Sequence, residues 1–210
     1  MLFRSLDAGC GTGGLILSLR KLDRGWRFSG IDFMPLACEL ATQRCGPATD
    51  IRVASITQLP FADASFSSVV SADVICQVPN PEVAVAEFYR VLQPGGLLVV
   101  NVPAYQWMWS YHDDTCQTHH RYGRRELAAL LKSGGGTDVR STHWNALTFP
   151  AIWAKRKLFR TANSTSDVRP YPRIVEWIGS VAMGIEHAWV RAGGTWAWGT
   201  SLFAVARKPR

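Results

Sequence analysis

The feature that most constrains the fold is a glycine-rich segment close to the start of the chain. Residues 6–14 read Leu-Asp-Ala-Gly-Cys-Gly-Thr-Gly-Gly and continue a predicted strand at residues 3–8. Glycines in this position let a strand turn tightly into a helix and let a ligand approach the backbone. The segment therefore predicts a strand, a tight turn and a helix over residues 12–22, which is the opening unit of an α/β fold.

The rest of the first half alternates short apolar runs, typical of strands, with runs of helical spacing. Such alternation predicts a parallel sheet covered by helices on both faces. The second half adds a helix, a strand, a helical insertion and a last strand. The predicted strands are 3–8, 27–32, 51–55, 66–72, 96–102, 139–144 and 201–206, and the predicted helices are 12–22, 35–44, 81–92, 124–132 and 173–190.

The glycine pattern by itself fits two classes of cofactor. Gly9, Gly11 and Gly14 satisfy the G-x-G-x-x-G pattern of dinucleotide-binding folds, and Asp32 stands 18 residues further on, near the usual ribose-binding acid. Asp7 distinguishes the two classes. It would repel a pyrophosphate, but it would attract the ammonium and sulfonium of S-adenosylmethionine (SAM), which has no phosphate. The sequence thus favours SAM over NAD and a nicotinamide-dependent oxidoreductase. A third interpretation makes Asp7 a helix cap and the glycines only a turn.

Four further motifs follow in a fixed order and spacing. With them, residues 3–103 resemble the class I SAM-dependent methyltransferases of the type 11 subgroup. The resemblance implies a methyltransferase with a Rossmann-like, seven-stranded, mostly parallel sheet of order 3-2-1-4-5-7-6, its last strand antiparallel. Relatives usually have a helix or two before the first strand, so we expect this N-terminal covering helix to be missing here. The motifs are Gly-Ile-Asp-Phe-Met-Pro-Leu-Ala at 30–37, Leu-Pro-Phe at 59–61, Phe-Ser-Ser-Val-Val at 66–70 and Arg-Val-Leu-Gln-Pro-Gly-Gly at 90–96.

The resemblance also implies which residues hold SAM. The family often has an acid where Ser55 stands, and a serine accepts a hydrogen bond more weakly than a carboxylate does. The residues assigned to the cofactor are Asp7, Gly9 and Gly11 at the methionine end, Asp32 at the ribose, Phe33, Met34, Ser55 and Ile56 around the adenine, and Ala72 and Asp73 on the side that closes the pocket.

An aromatic, histidine-rich loop over residues 103–123 is the candidate site for the methyl acceptor. It follows the carboxyl end of the fifth predicted strand, and ligands of open α/β sheets bind at such ends. We predict that Trp107, Trp109 and Tyr111 wall the acceptor pocket. The alternative is that the two tryptophans only anchor the loop to the core.

Two histidines in this loop are the candidate catalytic residues. If the acceptor is a hydroxyl, a general base accelerates the transfer, and histidine is the most frequent one. His112 stands beside Asp113, and His120 belongs to a His-His-Arg-Tyr segment similar to an H-x-R-Y segment in some type 11 methyltransferases. Arg121 is the candidate ligand of an acidic substrate group. The competing interpretations are an ordinary loop pair at His112 and solvated charges at His120 and Arg121.

Charge and aromatic residues are concentrated in the second half of the chain. The net charge of +7 divides into −1 over residues 1–100 and +8 over residues 101–210, which also hold eight of the nine tryptophans. The insertion at 146–192 fits a lid, a dimer surface or amphipathic packing. Its basic and aromatic residues also suit a membrane surface or a lipid-linked acceptor. The basic residues do not form runs, so we do not expect a nucleic-acid partner.

The remaining expectations concern the chain as a whole. We predict one methyltransferase domain over residues 1–210. We expect it in the cytoplasm, because the five cysteines are scattered and contain no Cys-x-x-Cys pair that would indicate a disulfide framework or a metal site. No apolar run reaches the roughly 20 residues of a spanning helix. The predicted function is methyl transfer from SAM to an oxygen or carbon of a small-molecule or lipid-linked acceptor. The alternative is a SAM-binding regulator without turnover.

Overall fold

The computed structural model describes residues 3–22, 25–158 and 172–210, with only the backbone of residues 155–158. Residues 159–171 of the predicted insertion therefore lie outside the described part. The strands are β1 (Arg4–Ala8), β2 (Arg27–Asp32), β3 (Asp50–Val53), β4 (Phe66–Ala72), β5 (Leu92–Pro103), β6 (Thr137–Trp144) and β7 (Ser201–Arg207). The helices are α1 (Gly14–Leu19), α2 (Pro35–Cys45), α3 (Pro81–Val91), α4 (Tyr111–Thr115), α5 (Arg124–Ser133), α6 (Phe149–Leu158) and α7 (Arg173–Arg191).

The seven strands form one sheet in the order β3-β2-β1-β4-β5-β7-β6. Strands β1 to β5 pair in parallel, whereas β7 lies antiparallel between β5 and β6. This arrangement confirms the predicted order and the predicted direction of the last strand. The order reverses between β1 and β4, so the carboxyl ends of these two strands border the crevice in which open α/β sheets bind ligands.

Two apolar clusters pack against the sheet, and they lie on opposite faces. Phe28 and Ile31 are three positions apart on β2, so their side chains point to opposite sides. Phe28 belongs to the cluster that holds α1 and α2 against the sheet, and Ile31 to the larger cluster that includes α3 and α5. Helices therefore cover both faces, as the alternation of elements predicted.

Proline and glycine set the limits of several helices. Pro35 and Pro81 stand in the first turns of α2 and α3, where the missing N–H costs no hydrogen bond. Gly46 ends α2 with φ 77°, in the left-handed region that glycine adopts most easily. None of the helices in the described ranges has the length and apolar composition needed to span a bilayer.

The structure corrects several predicted limits. Helix α1 is shorter than the predicted 12–22, because Gly13 before it is left-handed with φ 80°. β3 ends two residues before the predicted limit, and β5 begins at Leu92 with an irregularity in its pairing to β4 before Leu97. The loop at 103–123 contains the short helix α4. Its two ends are joined by hydrogen bonds between Tyr122 and the backbone of residues 103 and 105.

Candidate functional site

The turn between β1 and α1 presents backbone to an open space at the carboxyl edge of the sheet. Gly9 has φ 97°, and a Cβ atom there would lie 2.1 Å from a methyl group of Val74, so no larger residue fits. The amides of Gly9 and Cys10 both donate to the carbonyl of Ile31 at 2.8 Å, which ties the turn to β2. Gly11, with φ 49°, has no atom within 4 Å of its Cβ position. The turn is therefore held in place at Gly9 and open at Gly11, so a ligand can approach its backbone.

Asp7 brings a buried carboxylate to the base of this turn. Only 3% of its surface is exposed, and its Oδ2 has no hydrogen-bond partner among the described residues. Burial raises the pKa of Asp7 to about 7, and the nearby Asp32 carboxylate acts in the same direction. An unpaired buried acid is costly unless a cation or a donor reaches it. The methionine end of SAM carries both, whereas a pyrophosphate would add negative charge.

Asp32 is held in a fixed orientation at the end of β2. Its Oδ2 accepts from the amide of Gly11 and its Oδ1 from the amide of Met34, both at 2.9 Å. Each oxygen has a second lone pair, which could accept from a ribose hydroxyl. Phe33 and Met34 follow immediately and are largely exposed, which suits an adenine face. The positions of Asp7 and Asp32 are thus compatible with the methionine end and the ribose of SAM, to which the resemblance assigned them.

The structure distinguishes the two residues predicted at the adenine edge. The Ile56 side chain is buried in the core, so only its backbone can meet a ligand. Ser55 is half-buried, and its hydroxyl lies 2.7 Å from that of Thr57 and accepts from the Thr57 amide at 3.2 Å. Ser55 and Thr57 line a cavity of about 480 Å³ together with Gln58, Val78, Pro79, Asn80 and Val83.

A second cavity of about 300 Å³ opens above the carboxyl ends of β4 and β5 and the start of β7. Asp73 follows β4 directly, with φ 58°, and accepts two hydrogen bonds from the amide group of Asn101 at 3.0 and 3.1 Å. Desolvation raises the pKa of Asp73, although Asn101, His112 and Arg121 oppose the shift. The lining consists of Asp73, Cys76, Gln77, Pro103, His112, Asp113, Cys116, Thr118, Arg121, Thr200 and Ser201.

Arg121 has a structural partner that the sequence did not reveal. Its Nε donates to Oδ1 of Asp113 at 2.6 Å, and its Nη1 donates to the carbonyl of Ala104 at 2.8 Å. Both members of this ion pair are buried, with 3% and 2% of their side chains exposed. Asp113 also accepts from the amide of Ser110 at 2.8 Å, which caps α4. The pair therefore fixes the helix that carries His112 over the end of β5.

The two candidate histidines lie in different cavities. His112 lines the same cavity as Asp73, and its Nε2 is 3.6 Å from the thiol of Cys116. His120 instead pairs with Glu126, Nε2 to Oε1 at 2.6 Å. It lines a separate cavity of about 650 Å³ between the start of α3 and α5. The geometry thus brings His112 to the carboxyl ends of β4 and β5 and His120 to another part of the surface.

The three aromatic residues predicted as walls are distributed around α4. The Trp107 ring stacks on Tyr105 at 5.4 Å and meets Phe149 edge-on at 6.3 Å, so it connects the loop to α6. Trp109 donates from its indole nitrogen to Oδ1 of Asp114 at 3.0 Å. Tyr111 begins α4. The contact of Trp107, Trp109 and Tyr111 with an acceptor remains a prediction.

Sequence reasoning missed part of the lining of the 300 Å³ cavity. Thr200 and Ser201 line it because β7 is antiparallel, so its amino end meets the carboxyl end of β5. That topology was itself predicted, and it could have pointed to both residues. Cys76 and Cys116 had no comparable signal, because nothing in their sequence context distinguishes them from buried or surface thiols.

The chain is similar to known methyltransferases over most of its length. A family model described as a methyltransferase domain matches residues 6–100. The 2-methyl-6-phytyl-1,4-hydroquinone methyltransferase of Synechocystis sp. is 35% identical over 192 residues, which are 90% of this chain and 57% of that protein. The demethylmenaquinone methyltransferase of Thermus thermophilus is 37% identical over 100 residues, 46% of each chain. The chain thus spans about half the length of these relatives.

A solved structure extends the likeness to the whole fold. Phosphoethanolamine N-methyltransferase 2 of Haemonchus contortus, in complex with SAM, matches with a TM-score of 0.67 and covers 99% of this chain and 49% of that one. The two sequences are only 16% identical, so this likeness concerns the architecture alone.

Proposed function

Because this chain belongs to the class I SAM-dependent methyltransferases, through its residues 6–100 and its sheet order, we propose that it transfers the methyl group of SAM to a small-molecule or lipid-linked acceptor. The observation that carries this proposal is the unpaired, buried carboxylate of Asp7 beside the open glycine turn. A cationic ligand satisfies that carboxylate, and a pyrophosphate does not.

Some residues of the chain bind the cofactor, and others position the acceptor. Bound SAM supplies the activated methyl group, so the protein mainly has to align two reactants. Asp7 would neutralise the positive end of bound SAM, and Asp32 would hold its ribose. The 300 Å³ cavity beside Asp73 then receives the acceptor atom. His112, which lines this cavity, takes the proton of an acceptor hydroxyl, and Asp73 stabilises the resulting imidazolium.

The names of the relatives suggest the kind of acceptor. The two quoted above act, by name, on a phytyl hydroquinone and on demethylmenaquinone. We propose a ring of this kind, with a hydroxyl that His112 can deprotonate and an apolar tail that leaves the cavity. Loss of that proton raises the electron density on the hydroxyl oxygen and on the ring carbons next to it. Oxygen and carbon are therefore both open to methylation.

We further propose that residues 1–210 form one methyltransferase domain in the cytoplasm. Within it, residues 103–123 form the acceptor loop, and residues 146–192 form a lid over this loop that can also contact a membrane. All five cysteines are free thiols, which supports a reducing compartment. The larger apolar cluster joins residues of β1, α3, α5 and β7, and this supports a single domain.

The direct test is transfer of a labelled methyl group. The purified protein is incubated with methyl-labelled SAM and a panel of prenylated and unprenylated hydroquinones, and extracts are examined by mass spectrometry. We expect at least one hydroquinone to gain one methyl group in step with S-adenosylhomocysteine. SAM binding without any methylated product, from this panel and from a cell's lipid fraction, would instead favour a SAM-binding regulator.

A further inference from the structure

The helix α7 exposes a wide apolar surface, which we call the apolar stripe. Its side chains leave between 43% and 63% of their surface accessible. Contiguous apolar surface of this extent on a folded protein marks a site of contact with another molecule or with lipid. The apolar stripe consists of Ile174, Trp177, Ile178, Val181, Ile185 and Trp189.

The helix is attached to the protein through a different side. Glu186 is fully buried, and its Oε1 accepts from the amide of Leu147 at 2.8 Å. Ala182, Met183 and Val190 are half-buried and lie three or four positions from Glu186, so they share its face. At about 100° per residue, this face is roughly a third of the circumference away from the apolar stripe. The apolar stripe is therefore not the packing surface of α7.

The two arginines at the ends of α7 favour an anionic surface as the occupant, and the exposed Glu176 in its first turn lies on the side of the helix away from the apolar stripe. Arg173 and Arg191 stand at its two ends, 18 residues apart. That distance is about five turns, so they lie on one side of the helix. Tryptophan at both ends of an apolar stripe, with arginine beside it, is typical of helices that lie in the headgroup region of a bilayer.

A second copy of the chain suits the apolar stripe less well. Residues 101–210 carry a net charge of +8, so two copies facing each other through α7 would repel. The same charge attracts an anionic membrane.

The end of α7 is also linked to the acceptor cavity. The indole nitrogen of Trp189 donates to the carbonyl of Thr195 at 3.3 Å, and the ring lies 6.2 Å from that of Trp196. A few residues later the chain reaches Thr200 and Ser201, which line the cavity. A surface bound through the apolar stripe would therefore lie close to the acceptor end of the sheet.

We propose that α7 docks this protein on anionic lipid bilayers, with the apolar stripe in the acyl-chain boundary and Arg173 and Arg191 at the phosphates. This docking does not depend on methyl transfer. It would bring a lipid-linked acceptor to the enzyme without a spanning helix.

Sedimentation with vesicles tests the docking. Wild type and a variant with Ile178→Glu and Ile185→Glu are mixed with vesicles of phosphatidylcholine alone or with about a third phosphatidylglycerol. A control variant, with Leu22→Glu and Leu40→Glu, adds the same charge to exposed apolar positions elsewhere. All three should keep the rise in melting temperature with S-adenosylhomocysteine, which reports an intact fold. We expect wild type and control to bind the anionic vesicles, more weakly at high salt, and the α7 variant to bind at least about tenfold less.

Three results would overturn the docking proposal. In the first, wild type stays in solution with both kinds of vesicle. In the second, the α7 variant sediments as wild type does. In the third, analytical ultracentrifugation finds a wild-type dimer that the α7 substitutions dissociate, with no vesicle binding, which assigns the apolar stripe to a second copy. None of these results depends on turnover. The docking proposal can therefore be wrong while methyl transfer is right, and methyl transfer can be wrong while the docking proposal is right.

Discussion

The buried carboxylate of Asp7 should lower the stability of the ligand-free protein while it strengthens cofactor binding, and one substitution can test both effects. In the unfolded chain an aspartate ionises near its ordinary pKa of 3.8, but burial and Asp32 raise the pKa of Asp7 in the folded protein to about 7. Below pH 3.8 the residue is protonated in both states, so it has no effect on stability. Between these values only the unfolded state ionises, so stability falls as the pH rises. Above pH 7 the loss is complete.

The size of the effect follows from the pKa shift. Raising the pKa of Asp7 from 3.8 to about 7 costs the folded protein roughly 4 kcal/mol at pH 8, of which about 2 kcal/mol is already lost at pH 5. Asp7→Asn cannot ionise and keeps the shape of the side chain. We therefore expect it to raise the free energy of unfolding of the ligand-free protein, by about 2 kcal/mol more at pH 8 than at pH 5. SAM binding at pH 7.5 should weaken by about 1.5–3 kcal/mol, because a charged hydrogen bond is lost.

Urea unfolding at both pH values and calorimetric titration with SAM measure the two effects. Asp138→Asn, at an exposed position, is the matched control and should change neither quantity by more than about 0.5 kcal/mol. The reasoning fails if Asp7→Asn lowers stability at pH 8, or if it leaves SAM affinity at the wild-type value.

Four further substitutions test other parts of the site. Asp32→Ala should weaken SAM binding by roughly 1.5–3 kcal/mol in the same titration, and unchanged affinity would mean that Asp32 does not hold the ribose. His112→Ala and His120→Ala should both keep the SAM affinity of the wild type. Only His112→Ala should lower turnover, by about 10²–10⁴-fold. A larger loss of turnover with His120→Ala would place the general base in the other cavity. Arg121→Gln should lower the free energy of unfolding by about 3–5 kcal/mol, because it leaves Asp113 buried without its charge partner. A loss under about 1 kcal/mol in urea unfolding would contradict a structural role for the ion pair.

The fold was predictable because a few residues fix it. The glycine turn marks the first strand, and placing the predicted cofactor at a switch point beside that strand gives the order of the first five strands, which the structure has. The limits of elements were less predictable. The start of α1 and the irregular start of β5 depend on left-handed glycines and on pairing between distant strands, which no local pattern records.

The candidate site was easier to locate in the first half of the chain than in the second. The residues around the glycine turn have fixed spacing, so the family resemblance could point to Asp7 and Asp32, and the structure places both carboxylates at this turn. The role of Arg121 depends on its contact with Asp113, and spacing alone does not reveal it. In the same way, the periodicity of α7 indicated a helix but could not indicate that Glu186 packs inward while Ile178 and Ile185 face outward.

The central claim is that the glycine turn with Asp7 and Asp32 is built for SAM. Isothermal titration of the ligand-free protein with SAM, S-adenosylhomocysteine and NAD in one buffer tests it most directly. We expect one molecule of SAM or S-adenosylhomocysteine to bind per chain and NAD to give no binding heat. Binding of NAD, with none of either SAM compound, would contradict the account.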